Sequence, residues 1–189
     1  MRKELEIEFK NLLTKLEYKK LLQTFRLDEK DAVKQENYYF ETDHFHLKEK
    51  GSALRIRKKN GKYLFTLKQP EGNGLLETHE TIDQECFEHC INGTLRLPLS
   101  IQHALQKLGI PMEQLQYKGK LTTFRLEVKR NDSLVVFDRS RYHHYEDYEL
   151  EMEVNDYEQG KYLFHKLLKE NNIPIRQTKN KIERFFESR

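Results

Sequence analysis

The sequence predicts an α+β fold: an eight-stranded antiparallel β-barrel, or tunnel, with flanking helices and a helical insertion at about 83–120. Three observations predict it. Several segments alternate strictly between apolar and charged residues, as half-buried strands do. Neighbouring strands are joined by hairpin-type links, which makes the sheet mostly antiparallel. The helical segments are amphipathic and need an apolar sheet surface to cover.

The first strand reads Glu4 to Lys10, with Leu5, Ile7 and Phe9 on one face and Glu4, Glu6, Glu8 and Lys10 on the other. A helix should follow, because Thr14 and Glu17 fit a capping box and Leu21, Leu22 and Phe25 recur at helical spacing. Residues 37–42 read as a second strand, and 53–58 with 62–68 as a hairpin around Asn60-Gly61, a strong two-residue turn signal. A loop at 70–74 leads to a strand at about 75–82. Alternation then stops. Ile101, Leu105 and Leu108 fit a helix ending at Gly109, with Pro111 beyond it. Strands resume at 121–130 and 133–138 around Asn131-Asp132, and again at 147–154. A helix at about 156–171 precedes a tail that is basic and then aromatic. The count is seven or eight strands and three or four helices, with no internal repeat or low-complexity run.

Composition narrows the classes. Of 189 residues, 37% are hydrophobic and 34% charged, so the apolar share cannot fill both faces of every element. Net charge is only +3, from 34 basic and 31 acidic residues, which argues against a general nucleic-acid coat. Two cysteines, Cys86 and Cys90, make no disulfide framework, and there is neither a signal-peptide core nor a bilayer-length apolar run. The expectation is a cytoplasmic protein without a membrane partner.

The charged faces carry the functional signal. They hold Arg55 and Arg57, Lys62 and Lys68, Glu77 and His79, then Arg125, Glu127 and Lys129, and finally Glu149, Glu151 and Glu153. A one-sided sheet with this face in water is the plain alternative. Rows of three Glu repel one another, however, and helices on the apolar face would turn the charged face inward. Glu clusters suit hard divalent cations, and Arg and Lys suit phosphate oxygens. A metal-bound polyphosphate would satisfy both sets, whereas internal ion pairing would need no ligand.

Glu6-Ile-Glu-Phe-Lys10 is an ExExK sequence. It is followed in order by Asn37-Tyr-Tyr-Phe-Glu-Thr42, Leu54-Arg-Ile-Arg57, Thr66-Leu-Lys68, Phe137-Asp-Arg-Ser140, Tyr148-Glu-Leu-Glu-Met-Glu153 and Asn180-Lys-Ile-Glu-Arg184. The set resembles the CYTH superfamily, or triphosphate tunnel metalloenzymes, over nearly the whole chain, and looks closest to the small Bacillus-type members. The resemblance implies one CYTH-like domain over 1–189. It also implies hydrolysis of inorganic tripolyphosphate or a nucleoside or thiamine triphosphate with Mg²⁺ or Mn²⁺. Class IV-type adenylate cyclase and a non-catalytic polyphosphate sensor are the alternatives, and a purine pocket for cyclisation leaves no mark in the sequence. By resemblance, Glu6, Glu8, Glu149 and Glu151 would hold metal, with Glu77 and Asp138 as further candidates, while Lys10, Arg55, Arg57, Lys68, Arg125 and Lys181 would grip the triphosphate. Glu6, Glu8 and Lys10 would form the catalytic set, and Glu4 or Glu153 could extend the two acidic rows. Leu75 stands where many relatives carry a basic residue. Cys86, His89 and Cys90 are too few for zinc and read as helix packing residues, as Tyr38 and Tyr39 read as packing rather than base-stacking groups.

Overall fold

The first strand runs from Arg2 to Leu13 in the computed structural model, which describes residues 2–188; Ile7 and Phe9 of its apolar face are partly buried, whereas Leu5 is exposed. The elements in chain order are β1 (Arg2–Leu13), α1 (Lys15–Phe25), β2 (Val33–Glu41), α2 (His46–Glu49), β3 (Ala53–Lys59), β4 (Lys62–Glu71), β5 (Gly74–Ile82), α3 (Gln84–Ile91) and α4 (Leu99–Lys107). There follow β6 (Gln116–Arg130), β7 (Ser133–Tyr142), β8 (Tyr145–Val154), α5 (Tyr157–Glu170) and α6 (Lys181–Glu187). The strands form a closed antiparallel barrel in the order β1-β5-β4-β3-β2-β6-β7-β8. Closure removes every sheet edge and gives each strand one interior face.

The chain forms two compact units, Met1–Leu5 with Gln35–Leu121, and Glu6–Lys34 with Thr122–Arg189. In the first, Tyr38 and Phe40 of β2, Leu54 and Ile56 of β3, and Phe65 and Leu67 of β4 pack against Phe87 and Cys90 of α3 and Ile101 and Leu105 of α4. Tyr38 meets Phe87 edge-on at 4.8 Å, so it is a packing residue, as expected. In the second, Leu126, Val135, Phe137, Leu150 and Met152 of β6 to β8 pack against Tyr18, Leu21 and Leu22 of α1 and Phe164 and Leu168 of α5. Helices therefore cover the apolar strand faces in both units. The charged faces of these strands lie opposite, toward the barrel interior.

Local chemistry sets the element ends. Thr14 caps α1 through its side chain, and Glu17 returns the bond to the Thr14 N–H at 2.7 Å, completing the capping box. Asn60 and Gly61, both at positive φ, turn β3 into β4. Glu41, buried at the end of β2, accepts from the backbone N–H groups of Thr42 (2.8 Å), Leu47 (3.1 Å) and Lys48 (3.0 Å). Thr42 Oγ1 bonds His46 Nδ1 at 2.8 Å. The Glu41-Thr42 pair thus folds the following loop and starts α2.

Two boundaries differ from expectation. The loop expected at 70–74 is a tighter hairpin, because pairing continues through Pro70↔Leu75 and Glu71↔Gly74 and leaves only Gly72 and Asn73 to turn. Strand β6 starts at Gln116 rather than 121, so the expected helical insertion ends earlier. Tyr117 anchors that early stretch against the apolar cluster of the first unit, overriding the weak strand signal of Lys118-Gly119-Lys120. Six helices occur among the described residues, two more than the upper expectation, because α2 and α6 are too short to show periodicity.

Helix α5 approaches the sheet through Gly160. A Cβ there would lie 2.4 Å from Val154 Cγ2 and 2.9 Å from Phe9 Cε2. Gly160→Ala should therefore destabilise the protein by about 1–3 kcal/mol despite the higher helix propensity of Ala. A lowered urea midpoint with unchanged m-value would show it.

Candidate functional site

In the second unit, the interior face is built from β1, β6, β7 and β8. Register places Arg125 opposite Asp138 and Asp138 opposite Glu149, so three charged side chains stand in one row across β6, β7 and β8. Lys10 stands opposite Glu151, one step along. Asp138 and Glu149 are 0% and 1% exposed. Buried carboxylates must be paired, and these are.

Arg125 grips Asp138 with both arms, Nε to Oδ1 at 2.8 Å and Nη2 to Oδ2 at 2.6 Å, and also donates to Glu151 Oε2 at 2.7 Å. Lys181, the first residue of α6, donates to Asp138 Oδ2 at 2.9 Å, to Glu149 Oε1 at 3.0 Å and to Glu151 Oε1. One ammonium group thus sits among three buried carboxylates. Arg184, one helical turn on, donates to Asp147 Oδ2 at 2.9 Å and to Glu149 Oε2. Lys10 pairs with Glu8 Oε1 at 2.8 Å and with Asn180 Oδ1. Glu6 shares the Glu8 face of β1 and is half-buried.

A strap holds α6 in place. Asn11 of β1, fully buried, donates to Pro174 O at 3.1 Å and accepts from the Arg176 N–H at 2.7 Å. Thr178 Oγ1 accepts from the Leu12 N–H at 2.9 Å. Arg176 clasps both oxygens of Glu17 at 2.9 Å.

The charges tune one another. Burial opposes ionisation of Glu151, but the Lys181 and Arg125 cations win and hold its carboxyl well below the usual range. Burial pushes Glu149 up to about 7; Lys181 and Arg184 oppose this, while the neighbouring Glu151 charge adds to it. Burial works against the charge on Lys181 and Arg125, yet the surrounding carboxylates raise both.

In the first unit, Lys68 pairs by register with Glu77, and Thr66 with His79. Lys68 Nζ forms an ion pair with Glu77 Oε1, and Glu77 Oε2 lies 3.0 Å from His79 Nε2. Burial opposes the Glu77 charge, but His79, Lys68 and Arg55 hold its carboxyl well below the ordinary value. Arg57 Nε donates to Asn37 Oδ1 at 3.0 Å. Arg55 shares the Arg57 face, since Leu54 and Ile56 between them join the apolar cluster.

The structure therefore gathers Glu8, Lys10, Arg125, Asp138, Glu149, Glu151 and Lys181 in one unit, and Arg55, Arg57, Lys68 and Glu77 in the other. Glu127, Lys129 and Lys62 keep their faces but lie in water at strand ends. Sequence reasoning left out Arg184 and Asp147 as site residues. Their signals were available: Arg184 shares a helix face with Lys181, and Asp147 shares the strand face of Glu149 and Glu151. The thiols of Cys86 and Cys90 both contact Arg96 O, and burial pushes Cys90 up to about 11, which makes it an inert packing thiol.

The CYTH domain family matches residues 4–186. The chain belongs to the CYTH family. It is 47% identical over 189 residues to "Putative triphosphatase YjbK" of Bacillus subtilis, covering 100% of this chain and 98% of that one. The crystal structure of a protein called a "putative adenylate cyclase" from Bacillus halodurans has a TM-score of 0.94 at 40% identity, covering 98% of this chain and 100% of that one. A "putative adenylyl cyclase" from Hippeastrum, described as having a dominant triphosphatase activity, shares the fold at a TM-score of 0.77 and 22% identity, over 98% of this chain and 96% of that one. No helix of this CYTH protein, among the described residues, is long and apolar enough to cross a membrane.

The raised Glu149 gives a pH test on metal-free protein. A carboxyl raised on folding stabilises fully below its unfolded value, near 4.5, and loses that contribution as pH rises through about 7. Glu149→Gln removes the loss. The stability difference between the variant and the parent should shift toward the variant by on the order of 2 kcal/mol between pH 5 and pH 8, read by urea unfolding.

Proposed function

We propose that this CYTH protein is a divalent-metal-dependent hydrolase of triphosphate-bearing substrates, with the whole chain acting as one functional domain. The observation that carries the reading is the Lys181 ammonium held among Asp138, Glu149 and Glu151. Three buried carboxylates that share Lys181 and need Arg125 and Arg184 besides are a poor arrangement for stability alone. They are a good one for exchanging cations. The names of the Bacillus subtilis and Hippeastrum proteins point the same way.

The donor set fits a hard ion. Carboxylate oxygens suit Mg²⁺ or Mn²⁺, and the Lys181 ammonium marks a place where the fold already holds positive charge. Glu6, Glu8, Glu149 and Glu151 would hold the metal, with Asp138 in support. When bound, the ion would neutralise phosphate charge and lower the pKa of a coordinated water.

The remaining work falls to the protein's cations. The Arg125 guanidinium, fixed by two carboxylates, presents its remaining N–H groups without rotamer searching. Arg57 is oriented by Asn37 in the same way. Together with Lys10, Arg55, Lys68 and Lys181 they would bind non-bridging phosphate oxygens and the charge that grows on the departing phosphate. Water is the nucleophile, so no Ser, Cys or His is required.

Purified protein should release phosphate from tripolyphosphate or a nucleoside or thiamine triphosphate with Mg²⁺ or Mn²⁺, and lose that release with a chelator. Glu6→Gln with Glu8→Gln should lower kcat by at least about a hundredfold while the fold, read by circular dichroism, persists. Cyclic AMP and pyrophosphate from ATP would instead move the assignment to a cyclase. Tight substrate binding without turnover would leave a sensor.

A further inference from the structure

We propose that Glu4, Glu77 and His79 form a binding site for a divalent transition-metal ion of the Zn²⁺ class. The site lies wholly in the first unit and involves none of the three carboxylates around Lys181.

Strand pairing builds it. His79 and Glu77 are two residues apart on β5, so they point to the same face, where Thr66 and Lys68 of β4 stand opposite them. Glu4 comes from the start of β1. One potential ligand atom from each of Glu4, Glu77 and His79 lies within 4.8 Å of the others. His79 Nε2 is 3.2 Å from Glu4 Oε1 and 3.0 Å from Glu77 Oε2. Ligand bonds of about 2.0–2.2 Å place neighbouring donors roughly 3.3–3.6 Å apart around one tetrahedral ion. The two His79 pairs lie near that spacing and the two carboxylates lie within 4.8 Å of each other, so side-chain adjustment would bring all three onto one ion.

The surrounding groups assign the roles. His79 Nδ1 bonds Thr66 Oγ1 at 3.0 Å. Without an ion Nε2 shares hydrogen bonds with the two carboxylates; in the tautomer whose Nδ1–H donates to the hydroxyl, Nε2 would turn its lone pair to an ion held between them. An outer partner that fixes the ring in this way is usual for metal-bound imidazole. Lys68 occupies Glu77 Oε1 and leaves Oε2 for the ion. Glu77 and His79 are buried, whereas the Glu4 side chain is 45% exposed and gives the site an opening to solvent.

The ligand type decides the metal. Mg²⁺ is served by oxygen donors and keeps its waters, while an imidazole nitrogen favours the later first-row ions, Zn²⁺ above Mn²⁺. With Lys68 counted, the group with a neutral His79 carries one net negative charge, which a divalent cation reverses and which makes its retention in the fold favourable.

Binding is measured on the metal-stripped full chain. Zn²⁺ is titrated with millimolar Mg²⁺ present, and free Zn²⁺ is read with a chromophoric chelator. One equivalent should bind to the parent protein. His79→Gln should weaken that binding by roughly tenfold or more, and Glu4→Gln, at an exposed position that the fold does not need, by a smaller factor. Protein loaded with Co²⁺ should show one hyperfine-shifted imidazole N–H resonance, from Nδ1–H, that His79→Gln removes. Zn²⁺ binding equal in the parent and both variants, or no stoichiometric binding over Mg²⁺, would overturn the proposal and leave His79 as a hydrogen-bond partner of two carboxylates. Should His79→Gln fail to fold, the Glu4→Gln titration and the Co²⁺ spectrum of the parent decide, and absence of the imidazole resonance refutes the site. Neither readout depends on triphosphate hydrolysis, so the two proposals stand or fall separately.

Discussion

Asp138, Glu149 and Glu151 are buried side by side, and much of the second unit exists to make that tolerable. Removing one carboxylate from water costs several kcal/mol unless a partner replaces the solvent. Three partners do so. Arg125 arrives by cross-strand pairing within the sheet. Lys181 and Arg184 arrive from outside it, on α6, and reach the row only because the strap at 174–178 is pinned to Asn11, Leu12 and Glu17. Glu17 serves twice, as half of the α1 capping box and as the anchor of Arg176. The end of β1, the first turn of α1 and the C-terminal helix are thus coupled through one electrostatic requirement.

The same rule works on a smaller scale in the first unit. Lys68 and Glu77 neutralise one another across neighbouring strands, as His79 and Thr66 satisfy each other one step along. Both faces turn inward for the same reason. Helices α3 and α4 in one unit, and α1 and α5 in the other, occupy the apolar sides of the strands, so charge is left with the interior. Burying an ion pair rarely adds stability over packed hydrophobic side chains. Interior charges in this number suit the proposed function, in which the protein exchanges its own ion pairs for those of a ligand that brings both signs.

Much of this organisation could be read before any coordinates. Alternation in Glu4 to Lys10 and in Tyr148 to Val154 specified both the strands and the faces, because a two-residue period leaves no freedom about which side chains share a side. Asn60-Gly61 specified a hairpin because both residues accept positive φ. Other features were invisible for physical reasons. Strand β6 begins early because Tyr117 is held by apolar neighbours far along the chain, which local propensity cannot report. Glu41 reads as one more strand-end acid, and its three backbone N–H partners become apparent only when the loop after β2 closes on it. Helix α6 is too short to announce itself by periodicity.

By itself, then, the sequence determined the periodicities, the turns, the apolar and charged faces and the motif order that marks a CYTH chain, since all of these depend on residues a few positions apart. Tertiary structure alone decided which charges meet. Lys181 finds Asp138, Glu149 and Glu151 across thirty or more positions, and Glu4 finds His79 across seventy-five. Such encounters depend on barrel closure and strand register, where a shift of one residue would turn every partner to the opposite face.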